Sequence, residues 1–447
     1  MSGDNALPAL KAFENAAARV PAYRQLLREA DIRIEEVQSL ADFRRLPILE
    51  KRATFQRFEI QELCKDGVLG RMGSVLTSSG HSGIFAFGVT DFEALDPAVQ
   101  WIDDSLDYVF AVRTRRTLLV NCLPMGVKVP TRACTLAETS VRPDMAVGLI
   151  RSFGRHFEQM VIVGEAAFLK HVIESGRRAG LEWRDHVVHV ILGEEPLAEN
   201  ARGYLAGLLG HDFQRPEKGI VCSSMGIAEV GLNLFFEVPP VAPLISLRRM
   251  LHEDEALRAQ VLGPMDWVPS LFTFDPRRIF VEFDSSGRLI LTTLDLGVRI
   301  PLIRYAPGDR GGFVKPPLGV RPMLEAHEIS WDMLDAIPIV AIYGRGEHAS
   351  AGGVEVYPEA VKEGIYRDPA LAALTTANFR LGSGAVAASV RIQLSPGIRA
   401  SSETNEKFSA AISHYVRAPL HVVCHEYEHF RGGMELDYER KFRYVEK

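Results

Sequence analysis

The sequence predicts an α/β protein: a large N-terminal domain on mostly parallel sheets, a β-rich subdomain within it, and a small α+β domain at the C-terminus. Three observations carry this. Between Arg71 and about Gly193, apolar strands alternate with longer segments of helical period, the signature of strands joined by crossover helices. Val187-Val188-His189-Val190-Ile191-Leu192 is apolar almost throughout, as a strand covered on both faces must be. Glycines at 344, 346, 352 and 353 punctuate a short stretch, and a smaller α+β pattern follows it. A length of 447 residues has room for two or three domains at roughly 150 residues each.

The elements follow in order. Leu7, Leu10, Phe13, Ala17 and Val20 recur at helical spacing across Ala6 to Ala30, and Pro21 interrupts the period before Tyr23 to Leu27 resume it. Ser39 is placed to cap a helix through Leu40-Ala41-Asp42-Phe43, with Pro47 as its stop signal. Thr117 to Asn121, Met160 to Val163 and Val187 to Leu192 alternate with Met145 to Phe153 and Ala166 to Ser175. Ile279–Phe283 and Leu289–Thr293 flank Asp284-Ser285-Ser286-Gly287 and read as a β-hairpin. The domain boundary falls near Ile337 to Tyr343, giving domains of 1–343 and 344–447.

Composition excludes several functions. Lys+Arg of 51 against Asp+Glu of 57, evenly spread, gives no concentrated basic patch, so no nucleic-acid partner is expected. The N-terminus has no basic segment followed by an apolar core, and no run of about 18 apolar residues occurs, so a cytoplasmic protein without membrane contact is expected. Cys64, Cys122, Cys134, Cys222 and Cys424 are far apart and form no C-x-x-C pair, which reads as reduced, buried thiols.

Four segments and one lysine carry the chemistry. Thr77-Ser78-Ser79-Gly80-His81-Ser82-Gly83 offers hydroxyls, backbone N–H groups and glycines to polyphosphate oxygens, although alone it also reads as a hairpin turn. Gly193-Glu194-Glu195-Pro196 follows the buried strand at Leu192, at the strand end where open α/β sheets bind ligands; a plain strand-to-helix turn reads equally well. Glu229, in Met225-Gly226-Ile227-Ala228-Glu229-Val230-Gly231, is a candidate Mg²⁺ ligand, since that ion takes oxygen ligands and keeps substrate phosphates in its shell; a solvated carboxylate is the alternative. Asp309, fixed after Ala306-Pro307-Gly308, is suited to accept hydrogen bonds from ribose hydroxyls or to serve as turn chemistry. Lys441 reads on its own as a solvated residue of a frayed terminus.

Taken together and in this order, the segments resemble the adenylate-forming superfamily of acyl-CoA synthetases, adenylation domains and luciferases, and within it the phenylacetate-CoA ligase group. That group's phosphate loop S-S-G-T-T-G-K is matched by Ser78 to Ile84, its G-A-E-P by Gly193 to Pro196, its Y-G-x-[ST]-E by Met225 to Glu229, and its P-x-I-R-Y-x-[TS]-x-D by Pro301 to Asp309. Leu46-Pro47-Ile48-Leu49-Glu50-Lys51 resembles its L-P-F-x-x-K segment, and Gly344-Arg345 with Gly353 to Pro358 resembles its domain link. The chain departs from the group at His81, Ile84 and Met225, which replace the loop Thr, the loop Lys and the adenine-stacking Tyr.

The resemblance implies an acid activated by ATP and Mg²⁺ to an acyl-adenylate and passed to CoA, with a mobile small domain. It implies Glu229 as metal ligand and, with Lys441, as catalytic. Nucleotide contacts are implied for Ser78, Ser79, Gly80, His81, Ser82, Gly83, Gly193, Glu194, Glu195, Pro196, Met225, Gly226, Arg304, Asp309 and Arg345. The acid's pocket is expected around Met125, Gly126, Val221, Cys222 and Ser223, a mostly apolar chamber suited to an aromatic or apolar carboxylic acid, although core packing explains residues such as Met125 and Cys222 equally well. Two other readings stay open: transfer to an amine, alcohol or protein thiol, and a degenerate nucleotide-binding homologue without catalysis. A homodimer is among the assemblies the sequence allows.

Overall fold

The computed structural model describes residues 6–78, 83–124, 126–211, 218–237, 243–430 and 443–446. A nine-stranded sheet dominates it. Its strands lie in the order Arg310–Val314, Ile339–Gly344, Ser270–Phe274, Gly231–Phe236, Val221–Ile227, Val188–Leu192, Gln159–Gly164, Thr117–Asn121 and Thr135–Glu138. From Val221–Ile227 to Thr135–Glu138 all neighbours are parallel, whereas the other half is antiparallel. The parallel half is the stretch whose sequence alternates strands and helices, because a parallel pair needs a crossover long enough to hold a helix. Pro143–Phe153, Ala166–Arg178 and Glu199–Leu209 supply those crossovers.

The opening region folds as its periodicity requires. Ala6–Arg19 and Pro21–Glu29 are two helices broken at the proline, which sits at the first position of the second, where its missing N–H is harmless. Ser39 caps Leu40–Phe43 reciprocally with Asp42. The hairpin Ile279–Phe283 with Leu289–Thr293 forms with Ile279 opposite Thr293, and Asp284 Oδ1 accepts from the Ser286 and Arg288 amides to close its turn. Tyr305 then bridges to Leu291 and to Leu49, which carries the N-terminal segment onto the hairpin.

After Gly344 the chain forms a three-stranded sheet, with Thr375–Gly382 antiparallel to Ala388–Leu394 and the latter parallel to Leu420–His425. Helix Pro358–Tyr366 packs against both Glu199–Leu209 and Ser402–Ile412, and one apolar cluster runs from Leu205 and Val190 through Val361 and Ile365 to Phe408 and Val390. Among the described residues no helix is long and apolar enough to cross a membrane. Cys64, Cys122, Cys222 and Cys424 are buried free thiols, and Cys134 is half-buried.

Helix contact at Gly364 is close enough to test. A Cβ there would lie 2.4 Å from Ile412 Cα, a backbone atom that cannot swing away. Gly364→Ala is therefore expected to destabilise the protein by about 1–3 kcal/mol despite alanine's better helix propensity. Denaturant unfolding of the variant checks this; equal or higher stability would mean that the two helices part freely.

Candidate active site

Because the parallel strands run the same way, the loops that follow them collect at one end of the sheet, and there they enclose a cavity of about 910 Å³. Its walls include Leu123 and Pro124 after one strand, Glu165 after the next, Gly193 to Pro196 after the third, and Cys222 to Glu229 along and beyond the fourth. One end is apolar, formed by Trp101, Ile102, Leu106, Val109, Leu123 and Val163. The size suits a drug-sized ligand or larger.

Glu229 lies in the turn between strands Val221–Ile227 and Gly231–Phe236 and is 5% exposed, so it is no solvated surface carboxylate. A buried carboxylate requires partners. Tyr305 Oη donates to Glu229 Oε1 at 2.6 Å, and Lys51 Nζ pairs with the same oxygen at 3.4 Å. Burial, with Glu229 beside it, pushes the Tyr305 phenol far up, so the tyrosine remains a donor. The turn itself is covered by Phe87–Asp91: a Cβ at Gly88 would meet the Ala228 carbonyl oxygen at 2.2 Å, so only glycine permits this approach. Phe87–Asp91 pairs with Met72–Thr77, and Ser78 holds the base of their connection, its amide donating to Ala86 O and its Oγ accepting from the Ala86 amide. The hydroxyl-rich segment thus springs from a hairpin packed on the glutamate turn.

Asp309 and Arg345 line the same cavity, on either side of the Arg310–Gly344 pairing. Arg304 does not. Its backbone is left-handed at φ 47°, and its buried guanidinium donates to Glu282 at 3.2 Å and to the Arg44 and Leu46 carbonyls. Where the resemblance implies a nucleotide contact at Arg304, the structure shows a clamp that ties the segment leading to Lys51 to the hairpin.

Across the cavity, Glu195 meets residues from beyond Gly344. It accepts from Lys362 Nζ and, at 3.2 Å, from Tyr444 Oη, while the Lys362 ammonium lies 4.1 Å from the centre of the Tyr444 ring. Burial pushes Glu195 up, but Lys362 and the other donors outweigh it and hold the carboxyl below its usual range. Neighbouring Glu165 caps helix Ala166–Arg178 through the Ala167 and Phe168 amides; burial and the adjacent Glu195 push it well up.

The cavity brings together Ser78, Gly193, Glu194, Glu195, Pro196, Cys222, Ser223, Met225, Gly226, Glu229, Asp309 and Arg345. Among the described residues, Gly83, Gly126 and Val221 do not line it. Val221 lies in the apolar core, and its carbonyl accepts from Arg202, so the structure places it behind the cavity wall that Cys222 and Ser223, next along the strand, help to form. Ser79, Gly80, His81, Ser82, Met125 and Lys441 lie outside the described residues. Sequence reasoning missed Tyr305, Lys362 and Tyr444 as lining or positioning residues, and matched Lys51 without giving it a role. Tyr305 and Lys51 stand in matched segments, whose spacing could have drawn notice to them, whereas nothing local marks Lys362 or Tyr444; each of the four reaches the site through a contact between distant segments.

No family model matches the sequence, and no curated protein matches it. Among solved structures, the chain superposes on 2-hydroxyisobutyryl-CoA ligase in the postadenylation state in complex with R3-HIB-AMP, with a TM-score of 0.68 at 12% identity over 98% of this chain and 87% of that one. The same ligase with 2-HIB-AMP and CoA in the thioesterification state gives 0.54 at 13% identity over 98% and 87%. At these identities the likeness is one of fold: the chain shares the mixed α/β architecture of this ligase, with a large N-terminal and a small C-terminal part.

Proposed function

We propose that the chain activates a carboxylic acid with ATP to an acyl-adenylate and transfers the acyl group to the thiol of CoA, using domains of 1–343 and 344–447. One observation carries the reading: Ser78, Gly193 to Pro196, Glu229, Asp309 and Arg345 come from five separated segments and converge on one cavity at the carboxyl ends of the parallel strands. The fold likeness and the resemblance to the phenylacetate-CoA ligase group support it.

In this reading the acid's apolar body occupies the chamber of Trp101, Ile102, Leu106, Val109 and Cys222, and its carboxylate points toward Glu229 and Arg345. A carboxylate oxygen attacks the α-phosphorus, the bond from that phosphorus to the bridging oxygen breaks, and pyrophosphate leaves with the electron pair. Two anions approach each other, so cations fixed beforehand lower the barrier. Asp309 accepts hydrogen bonds from the ribose hydroxyls and orients the nucleotide. The thiol sulfur of CoA then attacks the acyl carbon and AMP departs.

Glu229 fits Mg²⁺ in the mode usual for that ion, one carboxylate plus phosphates and water, because its Oε2 is engaged by neither Tyr305 nor Lys51. Among the described residues no cluster of three or more acidic, His or Cys side chains offers a fully protein-built metal cage. When bound, Mg²⁺ supplies charge neutralisation on the phosphates.

ATP–pyrophosphate exchange across a panel of carboxylic acids tests the proposal, followed by product analysis with CoA against amines. Absence of exchange with every acid, with ATP still bound, would leave the degenerate nucleotide-binding reading standing. Asp309→Ala is expected to weaken ATP binding by about 10- to 100-fold, the worth of a charge-assisted hydrogen bond. Calorimetry giving equal affinities for wild type and variant would remove Asp309 from the site.

A further inference from the structure

Among the described residues, Lys51 is an enclosed cation of the cavity to which the mechanism above gives no task. Lys51 has a side chain only 14% exposed, lines the cavity, and lies 3.4 Å from Glu229. Its position is built: the Leu49 amide donates to the Arg304 carbonyl at 2.9 Å, the Ala306 amide donates to the Leu49 carbonyl at 2.8 Å, and the Arg304 guanidinium grips the Arg44 and Leu46 carbonyls. Four hydrogen bonds thus fix the backbone two to seven residues before Lys51, and the ammonium arrives beside the turn that holds Glu229. Ordering so long a side chain in a cavity wall costs up to about 2 kcal/mol of rotamer entropy, which a passive surface lysine does not lose.

The neighbouring cations are differently placed. Lys362 is engaged with Glu195 and stacked on Tyr444, and Arg277 is exposed and paired with Asp275. The segment Thr77 to Ile84 contains neither Lys nor Arg. An ammonium has three donors, and the 3.4 Å contact to Glu229 is longer than the 2.7–2.9 Å of a tight charge-assisted hydrogen bond. Lys51 therefore keeps donor capacity toward the space that Glu229, Asp309 and Arg345 border.

We propose that Lys51 is a phosphate-binding residue of this site: its ammonium contacts the phosphate oxygens of a nucleoside phosphate and supplies the positive charge that the hydroxyl-rich loop does not carry. The assignment rests on the adenylation reading and names the group that handles its phosphates. Burial lowers the Lys51 ammonium's pKa and Arg345 adds to this, while Glu229 opposes it; an incoming phosphate would replace lost water with charge.

The experiment compares wild type, Lys51→Met and Lys51→Arg by calorimetry with adenosine, AMP and ATP, in chelator and again with Mg²⁺. Lys51→Met is expected to lose about 10- to 100-fold in affinity for AMP and ATP in both conditions and to bind adenosine as wild type does, with Lys51→Arg recovering most of the loss. Adenosine binding also reports that the site is folded. Equal losses for adenosine and ATP would make Lys51 a structural partner of Glu229 and overturn the assignment, as would unchanged ATP binding in Lys51→Met. A wild type that binds none of the three would overturn the adenylation reading and Lys51's role with it, whereas normal wild-type binding with an unaffected Lys51→Met would overturn Lys51 alone.

Discussion

Arg202→Met is expected to lose about 3–5 kcal/mol of stability in denaturant unfolding, the scale of breaking a buried ion network by removing one partner. Arg202 is fully buried. Its Nε donates to Glu199 at 2.9 Å, and its two terminal nitrogens donate to the Glu237 carboxylate at 2.9 and 2.6 Å and to the Val221 carbonyl at 2.6 Å. Glu199 in turn pairs with buried Arg248 at 2.9 Å, so two acids and two bases balance. Methionine matches much of the volume but leaves two carboxylates against one guanidinium in a site buried from solvent.

The network also holds the cavity wall, since Glu237 Oε2 accepts from the Ser223 amide at 2.7 Å and lines the cavity itself. A double-mutant cycle separates charge from packing. Arg202→Met/Glu237→Gln restores electrical balance, so its loss should fall short of the sum of the two single losses by 0.5 kcal/mol or more, the usual scale of coupled neighbours. Strict additivity, or a loss below about 1 kcal/mol in the single variant, would show that the buried charges contribute little here.

Lys441→Ala is expected to slow acyl-adenylate formation by about 10²–10³-fold while sparing transfer from acyl-AMP supplied ready-made, the scale of one lost electrostatic donor. The proposal comes from the resemblance and the need for a cation only while the carboxylate attacks phosphorus. It is supported by the described residues next in the chain, for Tyr444 reaches Glu195 in the cavity and its carbonyl accepts from the Leu381 amide at 2.7 Å. Any rotation of the small domain between the half-reactions would have to release Lys362 from Glu195 and Glu363 from the Glu199 and Asn200 amides, which it holds at 2.7 and 2.9 Å. Measuring both half-reactions decides the matter. Equal loss in both would make Lys441 structural or common to the two steps, and normal rates in both would remove the lysine from catalysis.

Much of the fold was legible in the sequence because its signals are local. Thr117–Asn121 and the hairpin Ile279–Phe283 with Leu289–Thr293 have the bounds that their apolar runs and turn residues predict, and Ser39 caps where the reading put it. Glu229 and Asp309 were also legible as candidates, since each stands in a short motif beside a sharp turn. Tertiary structure decided the rest. Which way Arg304 points depends on a left-handed backbone and on carbonyls of a segment far away in sequence, so the same motif that presents Asp309 to the cavity turns Arg304 from it. Lys51 becomes part of the site only when Leu49 pairs with Tyr305, and Lys362 only when helix Pro358–Tyr366 packs on Glu199–Leu209. Secondary structure follows from periodicity within a dozen residues, whereas the direction and partners of a buried charge are set by whichever distant segment satisfies its hydrogen bonds, and no window of sequence contains that segment.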